Sequence, residues 1–241
     1  MLFLFARLTE KSNRDMGAIL SLLGPAFGVD VSYKTIERLY SDEEVKMVLH
    51  SLFLLLIDEE DISGDCSGDG TGYSLQAGKH YRSEGKKKGK KYRYVFRLVD
   101  VQTGMYVGYG YSNKSEKEAF KKAVEFVKSH DIPFNEVRLD KYYSNRKDLK
   151  KLGEDVEAFV LPKKNLSNFG YEWHEILNRV REDPYSFLKN YFKRELSETF
   201  FGADKERFGR KISQRREDRR ETASCATAIL HNLFTIRLLP P

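Results

Sequence analysis

Past residue 61 the apolar residues stop following a helical period and begin to alternate, and the order of patterns from there leaves few folds open. Residues 68–75, Gly-Asp-Gly-Thr-Gly-Tyr-Ser-Leu, are punctuated by glycine and suit a strand that another group approaches closely. Tyr92–Val101 reads as a strand by its β-branched and aromatic content, Gln102–Gly104 as a turn, and Met105–Tyr111 as the returning strand. Ser115–His130 predicts a helix with Ala119, Phe120, Ala123, Val124 and Val127 on one face. Glu136–Leu139 is a short strand ending at Asp140, Arg146–Leu152 a short helix, and Glu157–Leu161 a strand stopped by Pro162. Three strands, a helix, a strand, a helix and a strand make an α/β domain.

Ahead of this lies a helical region, with an acidic stretch at residues 58–61 as the boundary, so the expected domains are 1–60 and 61–241. Ser32 suits an N-cap for Tyr33–Tyr40, and Ser41 or Asp42 for a helix running toward Ile57. Two helices joined by a glycine-containing turn at Gly28, with Lys34, Thr35 and Arg38 exposed, suit a helix-turn-helix DNA reader. A small helical bundle with a solvated face accounts for the same residues. Residues 163–183 read as an irregular polar insertion around Trp173, which either stacks on a displaced base or anchors the segment to the core. Residues 184–239 read as a long helical region broken near Gly202 or Gly209.

The charge points toward an anionic partner. The formal net charge is +6, and between Lys79 and Arg97 nine Lys/Arg stand against the single acid Glu84, with tyrosines between them. Lys86, Lys87, Lys88, Lys90 and Lys91 are the candidates for contacts to a phosphate backbone. Two cysteines, Cys66 and Cys225, make no disulfide framework, which suits a reducing cytoplasm. No apolar run is long enough to span a bilayer, and the five histidines show no zinc-ligand spacing.

If the helix around residues 191–205 is continuous, Tyr191, Arg194, Glu198 and Lys205 fall within an arc of about 60° at 100° per residue. Such a face can ligate a divalent cation through Glu198 and hold phosphate oxygens with Arg194 and Lys205. It can also be an ordinary solvated face with Arg194 and Glu198 paired four residues apart. Among other acids, Asp65 competes with Asp69, Asp100 suits turn chemistry, and Glu195 neighbours Glu198 outside the spacing.

The spacing Tyr191-x2-Arg194-x3-Glu198-x6-Lys205 resembles the signature around the last carboxylate of insertion-sequence transposases with an Asp-Asp-Glu triad, archaeal and bacterial. Gly68-Asp-Gly-Thr-Gly72 and Leu139-Asp-Lys-Tyr-Tyr-Ser144 resemble the contexts of the first and second aspartates in that family. The resemblance covers roughly residues 60–237 and implies an RNase H-like mixed sheet flanked by helices. It implies catalytic, metal-holding roles for Asp69, Asp140 and Glu198, two Mg²⁺ or Mn²⁺ ions, and phosphate contacts from Arg194 and Lys205 supported by Tyr191. It also implies a cytoplasmic enzyme that cleaves double-stranded DNA at transposon ends and joins the ends to target DNA, as a homodimer or larger assembly. Two other readings remain: an RNase H-like structure-selective nuclease, and a truncated or domesticated copy that only binds DNA.

Overall fold

The computed structural model describes residues 2–9, 11–28, 31–75, 92–165, 170–212 and 214–238. Four helices come first: α1 (Leu2–Leu8), α2 (Asn13–Phe27), α3 (Tyr33–Leu39) and α4 (Glu43–Asp58). Side-chain oxygens of Ser12, Ser32 and Asp42 accept backbone N–H groups at the starts of α2, α3 and α4, satisfying donors that a helix leaves open. The predicted caps at Ser32 and Asp42 are therefore present. The residues proposed to read DNA, Lys34 and Arg38, are exposed on α3, with Ile36 turned into the core.

The α/β region follows with β1 (Asp65–Leu75), β2 (Tyr92–Asp100), β3 (Tyr106–Ser112), α5 (Glu116–Ser129), β4 (Glu136–Leu139), α6 (Arg146–Leu152) and β5 (Glu157–Phe159). The sheet order is β3-β2-β1-β4-β5; β1 runs antiparallel to β2 and β2 to β3, while β4 is parallel to both β1 and β5. A short strand, β6 (Lys211–Ile212), extends the far end of β1. This is the α/β mixed sheet flanked by helices expected of an RNase H-like fold.

One face of the sheet packs on α5, where Phe96 meets Phe120 edge to face at 5.0 Å between centroids. The other receives α9 (Glu195–Arg207) and α10 (Glu217–Leu238), with α4 lying against α10. A register slip between Leu98 and Val99 opposite β3 turns Tyr106 to the same face as Arg97. There a buried group forms: Asp204 of α9 binds Arg97 at 2.5 Å, accepts from Tyr106 Oη at 2.8 Å, and meets His231 Nδ1 of α10 at 2.8 Å.

Two expectations need correction. Residues 171–182 are not irregular: they form α7 (Tyr171–Glu182), burying Trp173 and Ile176 on one face. The apolar residues Trp173, Ile176, Leu177 and Val180 hold a helical spacing that the surrounding charges obscured. The helix expected to carry Tyr191 through Lys205 is also not continuous. It consists of α8 (Pro184–Phe192) and α9, joined at Lys193 and Arg194, where tighter three-residue hydrogen bonds replace the α pattern. The later break falls at Gly209, whose φ of +87° suits glycine, while Gly202 stays helical.

Candidate active site

Asp69 and Asp140 meet at one level of the sheet because β1 and β4 are neighbouring parallel strands, with Gly68 opposite Leu139. Asp69 lies one residue further along β1, and Asp140 one residue beyond the end of β4. Carboxyl ends of parallel strands are where α/β sheets ordinarily present binding groups. Asp140 also caps a single 3₁₀ turn, Lys141–Tyr143, its Oδ1 accepting the Tyr142 N–H at 2.7 Å. That bond fixes one oxygen of Asp140 and leaves the other facing Arg194, at 3.9 Å.

The third carboxylate arrives from α9. Ser67, two residues before Asp69 on the same face of β1, donates to the Arg194 carbonyl at 3.0 Å and pairs with the Ser197 hydroxyl at 3.1 Å, pinning the start of α9 to the strand. One residue later stands Glu198, bound to Arg194 Nη1 at 2.5 Å. Arg194 thus holds both Asp140 and Glu198, and its guanidinium lies 5.5 Å from the centre of the buried Tyr191 ring. The turn between α8 and α9 does not separate the four residues of the signature, since Lys193 and Arg194 keep near-helical backbone angles. At the far end of the same face, Lys205 Nζ donates to Thr71 Oγ1, two residues beyond Asp69.

Asp69 is the most perturbed of these groups. Burial pushes its carboxyl up to about 6, and the charges of Glu198, Glu116 and Asp140 add to the rise against a backbone hydrogen bond from Gly70. Glu116 is the residue that sequence reasoning missed. It opens α5, its Oε1 accepts from Tyr143 Oη at 2.6 Å, and its carboxyl occupies the space a side chain at position 70 would need, within 2.4 Å of a Cβ placed there. Gly70 is what admits Glu116 to the site. The signal was present as Gly70 beside Asp69, but a lone glutamate in the first turn of a helix looks like an ordinary partner of the helix dipole.

The other acids have structural work. Asp65 pairs with the buried Arg138 and, at 3.7 Å, with Lys193. Asp100 accepts from Thr103 within its turn, as expected of an Asp there, and from Ser63 ahead of β1. Trp173 is buried, its Nε1–H donating to the Ser144 carbonyl at 2.9 Å, so it anchors α7 to the loop that follows Asp140 rather than presenting a stacking face. In the basic tract, Arg97 is buried on Asp204, which withdraws it from any phosphate contact, and the part-buried Arg93 binds Glu217. Lys86, Lys87, Lys88, Lys90 and Lys91 lie outside the described residues.

Carboxylates are the hard oxygen donors that Mg²⁺ and Mn²⁺ prefer, and Asp69 and Asp140 on adjacent strands with Glu198 opposite are a donor set of that kind. Among the described residues, however, no three such side chains stand close enough to hold an ion in this arrangement. Arg194 occupies the space between Asp140 and Glu198.

No known protein-family profile matches the chain, and no solved structure matches it. A curated relative does: a protein of Archaeoglobus fulgidus described as a probable transposase for insertion sequence element ISA1214 is 59% identical over 239 residues, covering 99% of this chain and 74% of the relative. With identity of that order across nearly its whole length, the chain belongs to the family of insertion-sequence transposases.

Proposed function

We propose that this transposase cuts and joins DNA strands by metal-dependent phosphoryl transfer, with Asp69, Asp140 and Glu198 as the metal-holding triad. The observation that carries the reading is the meeting of Asp69 and Asp140 at the level where Gly68 faces Leu139, with Glu198 pinned to the same strand through Ser67. Two divalent ions held by these carboxylates would supply charge neutralisation at the scissile phosphate and an activated oxygen nucleophile.

The chain's own residues perform the rest. Arg194 pairs with Asp140 and Glu198, and with those carboxylates holding metal its guanidinium would be available to phosphate oxygens, beside the Tyr191 ring. Lys205, at Thr71, stands on the other side of Asp69 and positions a phosphate from there. Glu116, held by the Tyr143 hydroxyl, keeps the far side of Asp69 negative, so a cation is drawn toward the strand ends. The exposed Lys34 and Arg38 on α3 and the lysines of 86–91 serve as DNA contacts away from the chemistry. Paired transposon ends call for a dimer or larger assembly in the synaptic complex.

The test is cleavage and joining of a duplex ending in the element's terminal repeat, in Mg²⁺ and in Mn²⁺, comparing the parent with Asp140→Ala. Nicking followed by joined products, both lost in the variant, supports the proposal. Nicking without joining would place the protein with the RNase H-like nucleases instead. Binding with no cleavage in either metal would make it a DNA-binding copy only.

A further inference from the structure

His50 of α4 and His130, the C-cap of α5, meet with their Nε2 atoms 3.0 Å apart. They stand 80 residues apart in sequence, so no motif spacing marks them. The tautomer of one ring is fixed: His130 Nδ1–H donates to the Phe126 carbonyl at 2.8 Å, so its Nε2 carries a lone pair. A ring nitrogen held in this way by a backbone carbonyl is what orients a metal-binding histidine. Both rings are half-buried and packed by Phe126, whose ring centre lies 5.6 Å from that of His50 and 4.5 Å from that of His130. Two imidazole nitrogens bound at about 2.0–2.1 Å to one tetrahedral ion stand roughly 3.3 Å apart, close to the separation of this pair.

The surroundings favour a cation. A groove of about 670 Å³ opens beside His130, and among the described residues its wall holds Asp58, Glu60, Asp61 and Asp131 but no lysine or arginine. Such a groove attracts a positive ion and gives it a path to the ring. Without an ion, a proton on His50 Nε2 bridges the two nitrogens; moving it to Nδ1 leaves both Nε2 lone pairs free, with no change of charge. We infer that His50 and His130 form a binding site for a divalent transition ion of the Zn²⁺, Ni²⁺ and Cu²⁺ class. Imidazole suits these ions, whereas Mg²⁺ prefers oxygen. Among the described residues no third histidine, cysteine or carboxylate completes the set, so water fills the remaining positions. An ion held here ties α4, from the helices ahead of the sheet, to α5, which packs on it. The site is independent of the proposed triad.

The experiment titrates Zn²⁺ into the full chain in excess Mg²⁺, by calorimetry and by thermal melts, and records the electron paramagnetic resonance of added Cu²⁺. The parent is compared with His50→Gln, His130→Gln and Asp140→Ala. Glutamine at either position can still hydrogen-bond the remaining imidazole, so the junction keeps a polar contact while losing one nitrogen ligand. The parent is expected to bind one Zn²⁺ per chain that Mg²⁺ does not displace, and to melt higher with Zn²⁺ than without. Asp140→Ala should bind Zn²⁺ as the parent does. His50→Gln and His130→Gln should each lose more than about 100-fold in Zn²⁺ affinity, beyond the loss of a supporting contact, and lose the rise in melting temperature. The Cu²⁺ signal should show two coordinating nitrogens in the parent and one in each histidine variant. Unchanged Zn²⁺ affinity in either histidine variant, loss of the Zn²⁺ site in Asp140→Ala, or no Zn²⁺ retained by the parent in excess Mg²⁺ overturns the site. The transposase proposal stands or falls separately, on DNA cleavage.

Discussion

Asp69 is ionised in the folded chain only at a cost. Its carboxyl is pushed from 3.8 up to about 6 by burial first and then by Glu198, Glu116 and Asp140. A carboxyl raised on folding binds its proton more tightly in the native state, so the contribution of Asp69 to stability declines as pH rises from about 4 to about 6, above which its deficit is constant. The size of that deficit is up to about 3 kcal/mol at 1.36 kcal/mol per unit. Asp69→Asn is therefore expected to melt higher than the parent above pH 6 in the absence of divalent ions. The parent, and not the variant, should gain melting temperature when Mg²⁺ or Mn²⁺ is added. Thermal melts with and without metal at pH 5 and pH 8 check this; a variant less stable than the parent at pH 8 would contradict it. Glu116→Gln should act in the same direction on the metal-free fold and weaken Mn²⁺ binding by about 10–100-fold, as loss of a supporting contact does, which a Mn²⁺ titration followed by electron paramagnetic resonance measures.

At the scale of elements, α9 is positioned from both ends, by Ser67 under its first turn and by the buried Asp204 near its last. Burial alone would raise the Asp204 carboxyl, but the hydrogen bond from His231 and the charge of Arg97 outweigh it and hold it below the ordinary range. Asp204→Ala leaves Arg97 buried without its counter-charge and is expected to cost about 3–5 kcal/mol, read by urea denaturation. A second junction, between α4 and α5, has a different pH signature. His130 Nδ1 faces the Phe126 carbonyl at 2.8 Å, so its Nε2 accepts from His50 Nε2 at 3.0 Å. Burial, then His130, lowers the His50 pKa. A base depressed on folding binds fewer protons in the native state, so the His50 contribution to stability is lost as pH drops below about 6.5. His50→Gln should flatten that fall in a pH series of melts. The elements themselves were legible where one period dominated: β4 and α6 begin and end where the apolar pattern says. α7 was not, because its four apolar residues are spread among charges, and the α8–α9 turn was not, because near-helical angles at Lys193 and Arg194 leave the spacing undisturbed. Glu116 was hidden for another reason: its role depends on Gly70, 46 residues away, and only the sheet brings them together.

For the whole molecule, the helices ahead of the sheet share its core. Arg7 of α1 donates to Thr227 Oγ1 at 3.1 Å and to the Phe208 carbonyl at 2.9 Å, and Phe53 of α4 packs on Tyr109 at 5.0 Å. The helices and the sheet region therefore meet through both apolar packing and these hydrogen bonds, with Lys34 and Arg38 of α3 left exposed. Substituting Lys34 and Arg38 together with alanine should weaken DNA binding and lower the salt slope by about two phosphate contacts without changing the rate of cutting at saturating protein. In the proposed mechanism Glu198 of α9, and not its neighbour Glu195, works with Asp69 and Asp140. The most direct test is single-turnover nicking of the terminal-repeat duplex in Mg²⁺ by the parent, Glu198→Gln and Glu195→Gln, each confirmed folded by circular dichroism. Glu198→Gln is expected to lose more than about 100-fold, beyond the effect of a merely supporting residue, and Glu195→Gln to nick at a near-parental rate. Near-parental nicking by Glu198→Gln, or a loss confined to Glu195→Gln, would contradict that mechanism.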